Sequence, residues 1–356
     1  MNIAIVGSQL SIHTIRWANS LHDKGHSITV FSMHKKCEKL NKGIIRVRMP
    51  FKNPYGYILN IPFLSFKLRN LKPDLVHSFY AFGYSFLVRM TGYRPHLVSV
   101  LGSDIYDDID QFVFRKTIVK NIESADFVCS TSNVMKDQII KVTNTKKKIC
   151  VTPFGVDTDK FKKFQKNKEA EFDFVIGTVK RIENKYGIDT LIKAFAMFCK
   201  KYPTKKFKLY LVGDGSKVEE LINLAKEISV FDKCEFVGKV PHNKIPNWLN
   251  KFDLFVALSR LNSESFGVSI IEASACELPV IVSDSGGLPE VVQDGKTGIV
   301  VPKENPLEAF KAMDFMYKNK SRAVEMGTKG RERIKRMYDW NSSIEQMEMV
   351  YRRIIK

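Results

Sequence analysis

The sequence predicts an α/β protein of two Rossmann-like domains, each a parallel sheet covered by helices, facing one another across a deep cleft. Three observations lead there. The chain has 356 residues, more than one hydrophobic core usually supports. Short apolar runs alternate with segments whose apolar residues recur at helical spacing. That rhythm breaks at the charged stretch KKFQKNKEAE (162–171) and then restarts, which marks a linker.

In order along the chain, NIAIVG (2–7) reads as a buried strand, SIHTIRWANSLHDKGH as the helix after it, and SITVFSM (27–33) as the second strand of a βαβ opening. DLVHSF (74–79), HLVSVLGSD (96–104), ADFVCST (125–131) and KKICVTPFGVDTDKF (147–161) continue the pattern. Beyond the linker, strands are expected at 172–179, 207–215, 234–240, 252–258, 278–284 and 297–302, with a helix over 187–203 closed by Pro203. The end reads as a helix capped by Asn341 or Ser342, with Glu345 in its first turn and basic residues at its C-terminus. Domains are therefore expected at 1–165 and 166–338, with 339–356 as a helix packing back on the first.

Composition narrows the class. No apolar run approaches the roughly 18–20 residues of a membrane span. The N-terminus lacks a basic segment before its apolar stretch, so it does not read as a signal peptide. Six scattered cysteines without a C-x-x-C spacing argue against a disulfide framework or zinc site and for buried free thiols in the cytoplasm. The charge is uneven: residues 1–165 hold 25 Lys+Arg against 12 Asp+Glu, and the first 100 hold 14 against 3. Such a surplus suits an anionic partner. No nucleic-acid-binding motif accompanies it. FKNPYGYILNIPFLSFKLRNLK (51–72) mixes Phe51, Tyr55, Tyr57, Ile58, Ile61, Phe63, Leu64 and Phe66 with four cations. That pattern fits the interfacial edge of a membrane, and equally a core helix with snorkelling lysines.

Chemistry-bearing residues sit in the strand-to-helix connections. VGSQLSIH (6–13) has one glycine, Gly7, where a dinucleotide fingerprint needs three, which disfavours a dehydrogenase but still allows helix amides to meet an anion. GTVKRIENKYGID (177–189) places Arg181 and Lys185 at the mouth of such a connection, where two cations suit a diphosphate. VGDGSKVEEL (212–221) adds a turn with Gly213 and Gly215. In ESFGVSIIE (264–272), Gly267 allows backbone close to a ligand, and Glu272 lies inside the following helix, able to accept two hydroxyl hydrogen bonds. SGGLPE (285–290) is a second glycine turn.

Together with YGIDTLIKAF, LVGDG, CEFVGKVPHNKIPNWLNKFDLFVALS, TPFGVD and the terminal YDW, these residues make the chain resemble, almost end to end, the family-4 retaining glycosyltransferases of the GT-B type. The E-x7-E pair Glu264 and Glu272 is the most specific part. The resemblance implies a hexosyltransferase whose nucleotide-sugar donor is held mainly by the C-terminal domain and whose acceptor is held mainly by the N-terminal one. It assigns Glu272 to the ribose. Glu264, Ser265 and the backbone of Phe266, Gly267 and Val268 fall to the donor sugar and phosphates, with Gly213, Gly215 and Gly7 on the donor side. Arg181 and Lys185 would neutralise the leaving diphosphate without a metal ion or other cofactor, and no Asp-x-Asp motif is present. Many members have His-Gly-x-Asp where this chain has LGSD, so Leu101 stands at the usual histidine and Asp104 becomes a candidate near the reacting carbon. His13 and His77 are acceptor-side candidates. The charge map adds a glycan or lipid-linked acceptor at an anionic membrane surface. An epimerase or phosphorylase sharing this fold, or a non-catalytic nucleotide-sugar-binding homologue, remains an alternative.

Overall fold

A computed structural model describes residues 1–35, 38–164 and 171–355. The chain forms two compact units: Met1–Pro153 together with Ser343–Lys356, and Phe154–Ser342. In the first, strands β1 (Asn2–Val6), β2 (Ser27–Ser32), β3 (Ile45–Arg48), β4 (Leu75–Phe79), β5 (His96–Ser99), β6 (Phe127–Ser130) and β7 (Ile149–Val151) line up as β3-β2-β1-β4-β5-β6-β7. In the second, β8 (Phe174–Val179), β9 (Phe207–Val212), β10 (Cys234–Gly238), β11 (Leu254–Ala257), β12 (Val280–Ser283) and β13 (Ile299–Val301) line up as β10-β9-β8-β11-β12-β13. Every pairing between these strands is parallel. Two parallel-sheet Rossmann-like domains are thus present, as the apolar strands and intervening helices require.

The strands are buried because helices cover their faces. All five residues of β4 are buried, and Leu64, Leu68, Leu87 and Val88 pack against that region of the core from the helices Ile61–Leu71 and Gly83–Thr91. In the second unit the helix Ile188–Lys201 turns Leu191, Ile192, Phe195 and Phe198 inward. Three local expectations are corrected. β3 was not anticipated: IRVR is an edge strand with exposed ends, and its charged alternation hides it from an apolar-run criterion. The strand expected over 96–104 stops at Ser99, since Gly102 adopts φ 128° and Ser103–Tyr106 turns helical. The terminal helix Trp340–Ile355 starts earlier than its expected caps, with the Asn341 amide donating to Asp339 Oδ1 at 2.9 Å.

The first unit ends at Pro153 rather than at residue 165, for a reason of packing. Phe154 meets the Phe266 ring at 6.0 Å, Val156 bridges Asp339, and Arg331 donates to the carbonyls of Thr158 and Phe161 at 3.1 and 3.0 Å. Segment 154–161 therefore belongs with the second unit. Most of the expected linker, residues 165–170, lies outside the described residues, as does Cys37. The other five cysteines are free; four are buried, and Cys150 is half-buried.

The end of the chain returns to the first unit. Glu348 Oε1 lies 2.6 Å from His26 Nε2, and the fully buried Tyr351 hydroxyl lies 2.7 Å from His77 Nδ1. His77 Nε2 is 2.7 Å from Ser99 Oγ, and His96 Nε2 is 2.8 Å from Ser78 Oγ. Burial, reinforced for His77 by His96 and for His96 by Arg94, lowers both imidazoles to about 3. Both are therefore neutral in the folded state at neutral pH. Between their ordinary pKa of 6.5 and about 3, the unfolded chain binds protons that the folded chain does not, so stability is lost as pH falls through that window. Each histidine contributes about 1.4 kcal/mol per pH unit there. Urea unfolding of the wild type should weaken more steeply between pH 6.5 and 4 than that of His77→Gln. A stability difference between the two that stays flat across this range would contradict the assignment.

Candidate functional site

The second unit's sheet changes direction of winding at β8 and β11, neighbours that are far apart in sequence, and ligands of such sheets gather at the C-terminal ends of strands beside that point. The connections leaving those two strands carry the candidates. After β8 comes Lys180-Arg181-Ile182-Glu183, then the turn Asn184–Tyr186 and the helix Ile188–Lys201. After β11 comes the loop holding Glu264, then Gly267 and the helix Val268–Ala275.

These connections meet in an ion pair that the sequence did not single out. Lys180 Nζ lies 3.0 Å from Glu264 Oε1, with the side chains only 13% and 10% exposed. The same ammonium stands 4.9 Å from the centre of the Tyr186 ring, and Lys185 Nζ stands 5.2 Å from that ring. Tyr186 thus draws two lysines together beside a buried carboxylate. Arg181 takes a different course: its side chain is 74% exposed and pairs with Glu183 Oε1 at 3.1 Å. Consecutive residues at a strand end point to opposite sides, so if either of the two cations enters the interior, the other must leave it. The structure thus brings Lys180 to Glu264, while Arg181, expected with Lys185 to meet a diphosphate, pairs with Glu183. Lys180 was legible only as part of the basic dipeptide, whose facing depends on register.

The glycine turns act through packing. A Cβ on Gly213 would stand 1.8 Å from the Lys180 carbonyl, and one on Gly215 would stand 2.2 Å from that of Ile182. The two glycines let the connection after β9 seat on the Lys180 loop. Gly286 and Gly287 do the same on the other side, with Cβ positions 2.2 Å from the carbonyls of Glu264 and Ser265. The Gly287 amide donates to the Glu264 carbonyl at 2.9 Å.

Gly267 caps the helix Val268–Ala275 at φ 93°, with no capping side chain, so the helix opens on bare backbone. The amides of Ile270 and Ile271 return to the Gly267 carbonyl at 3.0 and 3.3 Å. Phe266 is buried against Phe154 and Tyr338, leaving its main chain rather than its ring for any ligand. Ser265 is buried and Val268 half-buried. The buried hydroxyls of Ser263, Ser269 and Ser285 have no hydrogen-bond partner among the described residues. Such orphaned donors around a bare helix start suit an acceptor-rich anion such as a diphosphate. Sequence reading missed all three, since single serines are unremarkable. Glu272, five residues into the helix, is 5% exposed, and its Oε1 lies 2.7 Å from His242 Nε2.

In the first unit the candidates fare differently. Gly7 ends β1, its amide donating to the Phe31 carbonyl at 3.1 Å. His13 is half-buried at the start of the helix Ile12–Asp23, and burial with the nearby Arg16 lowers its pKa to about 4. Asp104 is fully buried and accepts the amides of Ala81, Gly102 and Leu101 at 2.7, 2.8 and 3.2 Å. Burial pushes it up to about 6 against the pull of those amides. It fastens the loop that follows β5. His77 is fully buried, with Ser99 and Tyr351 as its partners.

Residues 159–333 match the family described as "Glycosyl transferases group 1", and residues 2–132 match "Glycosyl transferase 4-like". The chain is 25% identical over 317 residues to a phosphatidylinositol N-acetylglucosaminyltransferase subunit of Arabidopsis thaliana, covering 86% of this chain and 67% of that one. It is 28% identical over 267 residues to a GDP-mannose-dependent alpha-(1-6)-phosphatidylinositol monomannoside mannosyltransferase of Mycobacterium tuberculosis, covering 71% and 68%. In fold it is similar to a glycosyltransferase of Rickettsia africae ESF-5, with a TM-score of 0.83, 19% identity and coverage of 100% and 98%. It is also similar to Anabaena HepE in complex with UDP and glucose, with a TM-score of 0.82, 17% identity and coverage of 98% and 99%. The two family matches span residues 2–132 and 159–333, the loop and helix that carry Glu264 and Glu272 among them, and the chain belongs to the group 1 glycosyltransferases.

Proposed function

We propose that this glycosyltransferase moves a sugar, with retention of anomeric configuration, from a nucleoside-diphosphate sugar to a hydroxyl of a glycan or lipid-linked acceptor in cell-surface glycoconjugate synthesis. The observation that carries the reading is the pair of half-buried Lys180 and buried Glu264, 3.0 Å apart, beside the bare start of the helix Val268–Ala275. Glu264 and the main chain of 265–268 meet the donor sugar and phosphates, and Glu272 takes the ribose. Lys180 and Lys185 offset the charge of the departing diphosphate, a task that needs no metal ion. The acceptor oxygen bonds to the anomeric carbon on the face that the diphosphate leaves, as the bond from carbon to phosphate oxygen breaks. The hydroxyl proton passes to a phosphate oxygen, so no enzyme base is required. Anabaena HepE, of similar fold, was crystallised with UDP and glucose, which supports a nucleotide-sugar donor.

The Arabidopsis and Mycobacterium relatives by name act on phosphatidylinositol-based acceptors, which supports a lipid-linked acceptor here. The surface over 51–72 agrees in character: Tyr55 is 75% exposed, Ile58 64% and Phe66 61%, with Lys52, Lys67, Arg69 and Lys72 exposed among them. Only Leu64 and Leu68 of the helix Ile61–Leu71 are buried. No described helix is long and apolar enough to cross a membrane. We place the enzyme peripherally on the cytoplasmic face, with these aromatics at the headgroup level.

Three outcomes test the reading. Thermal shift with UDP-, GDP-, ADP- and dTDP-sugars should reveal one stabilising base, and the activity it supports should persist in EDTA and yield a product of retained configuration. Lys180→Gln and Glu264→Gln should each lower kcat/KM by about 100-fold or more, whereas Arg181→Ala should stay within about threefold. Equal losses at Lys180 and Arg181 would refute the site. Flotation should recover the enzyme with anionic but not zwitterionic vesicles, and Tyr55→Ser with Phe66→Ser should abolish it; binding that persists in that double variant would remove the membrane assignment.

A further inference from the structure

Glu272 is a carboxylate 5% exposed, and a buried charge needs a partner. Among the described residues that partner is His242, whose Nε2 lies 2.7 Å from Glu272 Oε1. The histidine comes from a different connection, the one after β10. There Pro241 at φ −58° leads into the short turn His242–Lys244, closed by the Lys244 amide on the Pro241 carbonyl at 2.9 Å. Ile245 and Leu249 of the next helix are buried and fix that turn to the core. The other side of the imidazole meets the buried Phe161 ring at 5.5 Å. Phe161 is itself held through its carbonyl by Arg331, which also bonds the Ala275 carbonyl at the end of the Glu272 helix. The imidazole is therefore set between an aromatic ring and a carboxylate by three separate segments, yet its side chain is 48% exposed.

We propose that His242 is a positioning residue for donor binding: it fixes the rotamer of Glu272 by holding Oε1, so that Oε2 is presented to the ribose hydroxyls of the nucleotide. This rests on the reading of Glu272 as the ribose ligand. A glutamate side chain free to rotate loses conformational freedom on binding, and His242 removes that loss beforehand. The contact is remote from the bond being broken, so it strengthens ground state and transition state alike. Its loss raises KM and leaves kcat in place.

The test is calorimetric titration with UDP, GDP, ADP and dTDP of the intact protein and of His242→Ala, His242→Gln, Glu272→Ala and the double variant His242→Ala/Glu272→Ala. For the nucleotide that binds, His242→Ala should weaken binding about five- to tenfold, as expected for one charge-assisted hydrogen bond at a half-exposed site. The melting temperature without nucleotide and kcat should be unchanged. His242→Gln, which keeps an N–H donor, should recover most of the loss. In the Glu272→Ala background, removing His242 should cost nothing more, because the histidine acts through the carboxylate. Wild-type affinity in His242→Ala, an equal further loss in the double variant, or a fall in melting temperature that accounts for the weaker binding would each overturn the inference. If no nucleotide binds the intact protein, or Glu272→Ala binds as tightly as the wild type, the donor reading fails first and the inference with it.

Discussion

The close pair between half-buried Lys180 and buried Glu264 is the constraint on which the rest of the site depends. Removing two charges from water costs several kcal/mol for each, and their mutual attraction offsets that only when geometry is held closely. Here the geometry is held by backbone. Carbonyls of residues 180 and 182 occupy the space of absent side chains at Gly213 and Gly215, and those of 264 and 265 do so at Gly286 and Gly287. Four connections of one sheet are thereby packed into a rigid floor. The ion pair, the helix start at Gly267 and three serine hydroxyls unpartnered among the described residues are grouped around it. In the reaction proposed above, a charged, pre-organised arrangement of this kind stabilises developing negative charge without reorganising at the moment of reaction.

Around the candidate residues, buried polar groups are satisfied differently in the two units. In the first, the buried histidines and Asp104 are satisfied by neighbouring hydroxyls and amides, and they secure loops and the returning helix. In the second, serine hydroxyls near Gly267 lack partners among the described residues, and Glu272 is paired with a side chain that remains partly open to solvent.

Exposure divides the aromatic segment in a similar way. Leu64 and Leu68 anchor the helix Ile61–Leu71, while Tyr55, Ile58 and Phe66 stay at the surface among cations. These exposed aromatic and aliphatic side chains among cations, with the basic surplus of the first 100 residues, are the observations on which the proposed membrane assignment rests.

By itself the sequence determined what repeats locally: the strand–helix rhythm, the two-domain class, and the spacing of Glu264 and Glu272 that puts one carboxylate in a loop and the other inside the following helix. These follow from side-chain periodicity and backbone freedom, which need no partner. Tertiary structure decided which neighbour each group met. Lys180 rather than Arg181 faces Glu264, because strand register chooses one of two adjacent cations. Asp104 and His77 were drawn into packing, and His242 was brought to Glu272 from thirty residues away by the juxtaposition of two connections. The edge strand β3 and the cap at Asp339 were equally out of reach, since pairing with a neighbouring strand and docking of a chain end exist only in the folded molecule.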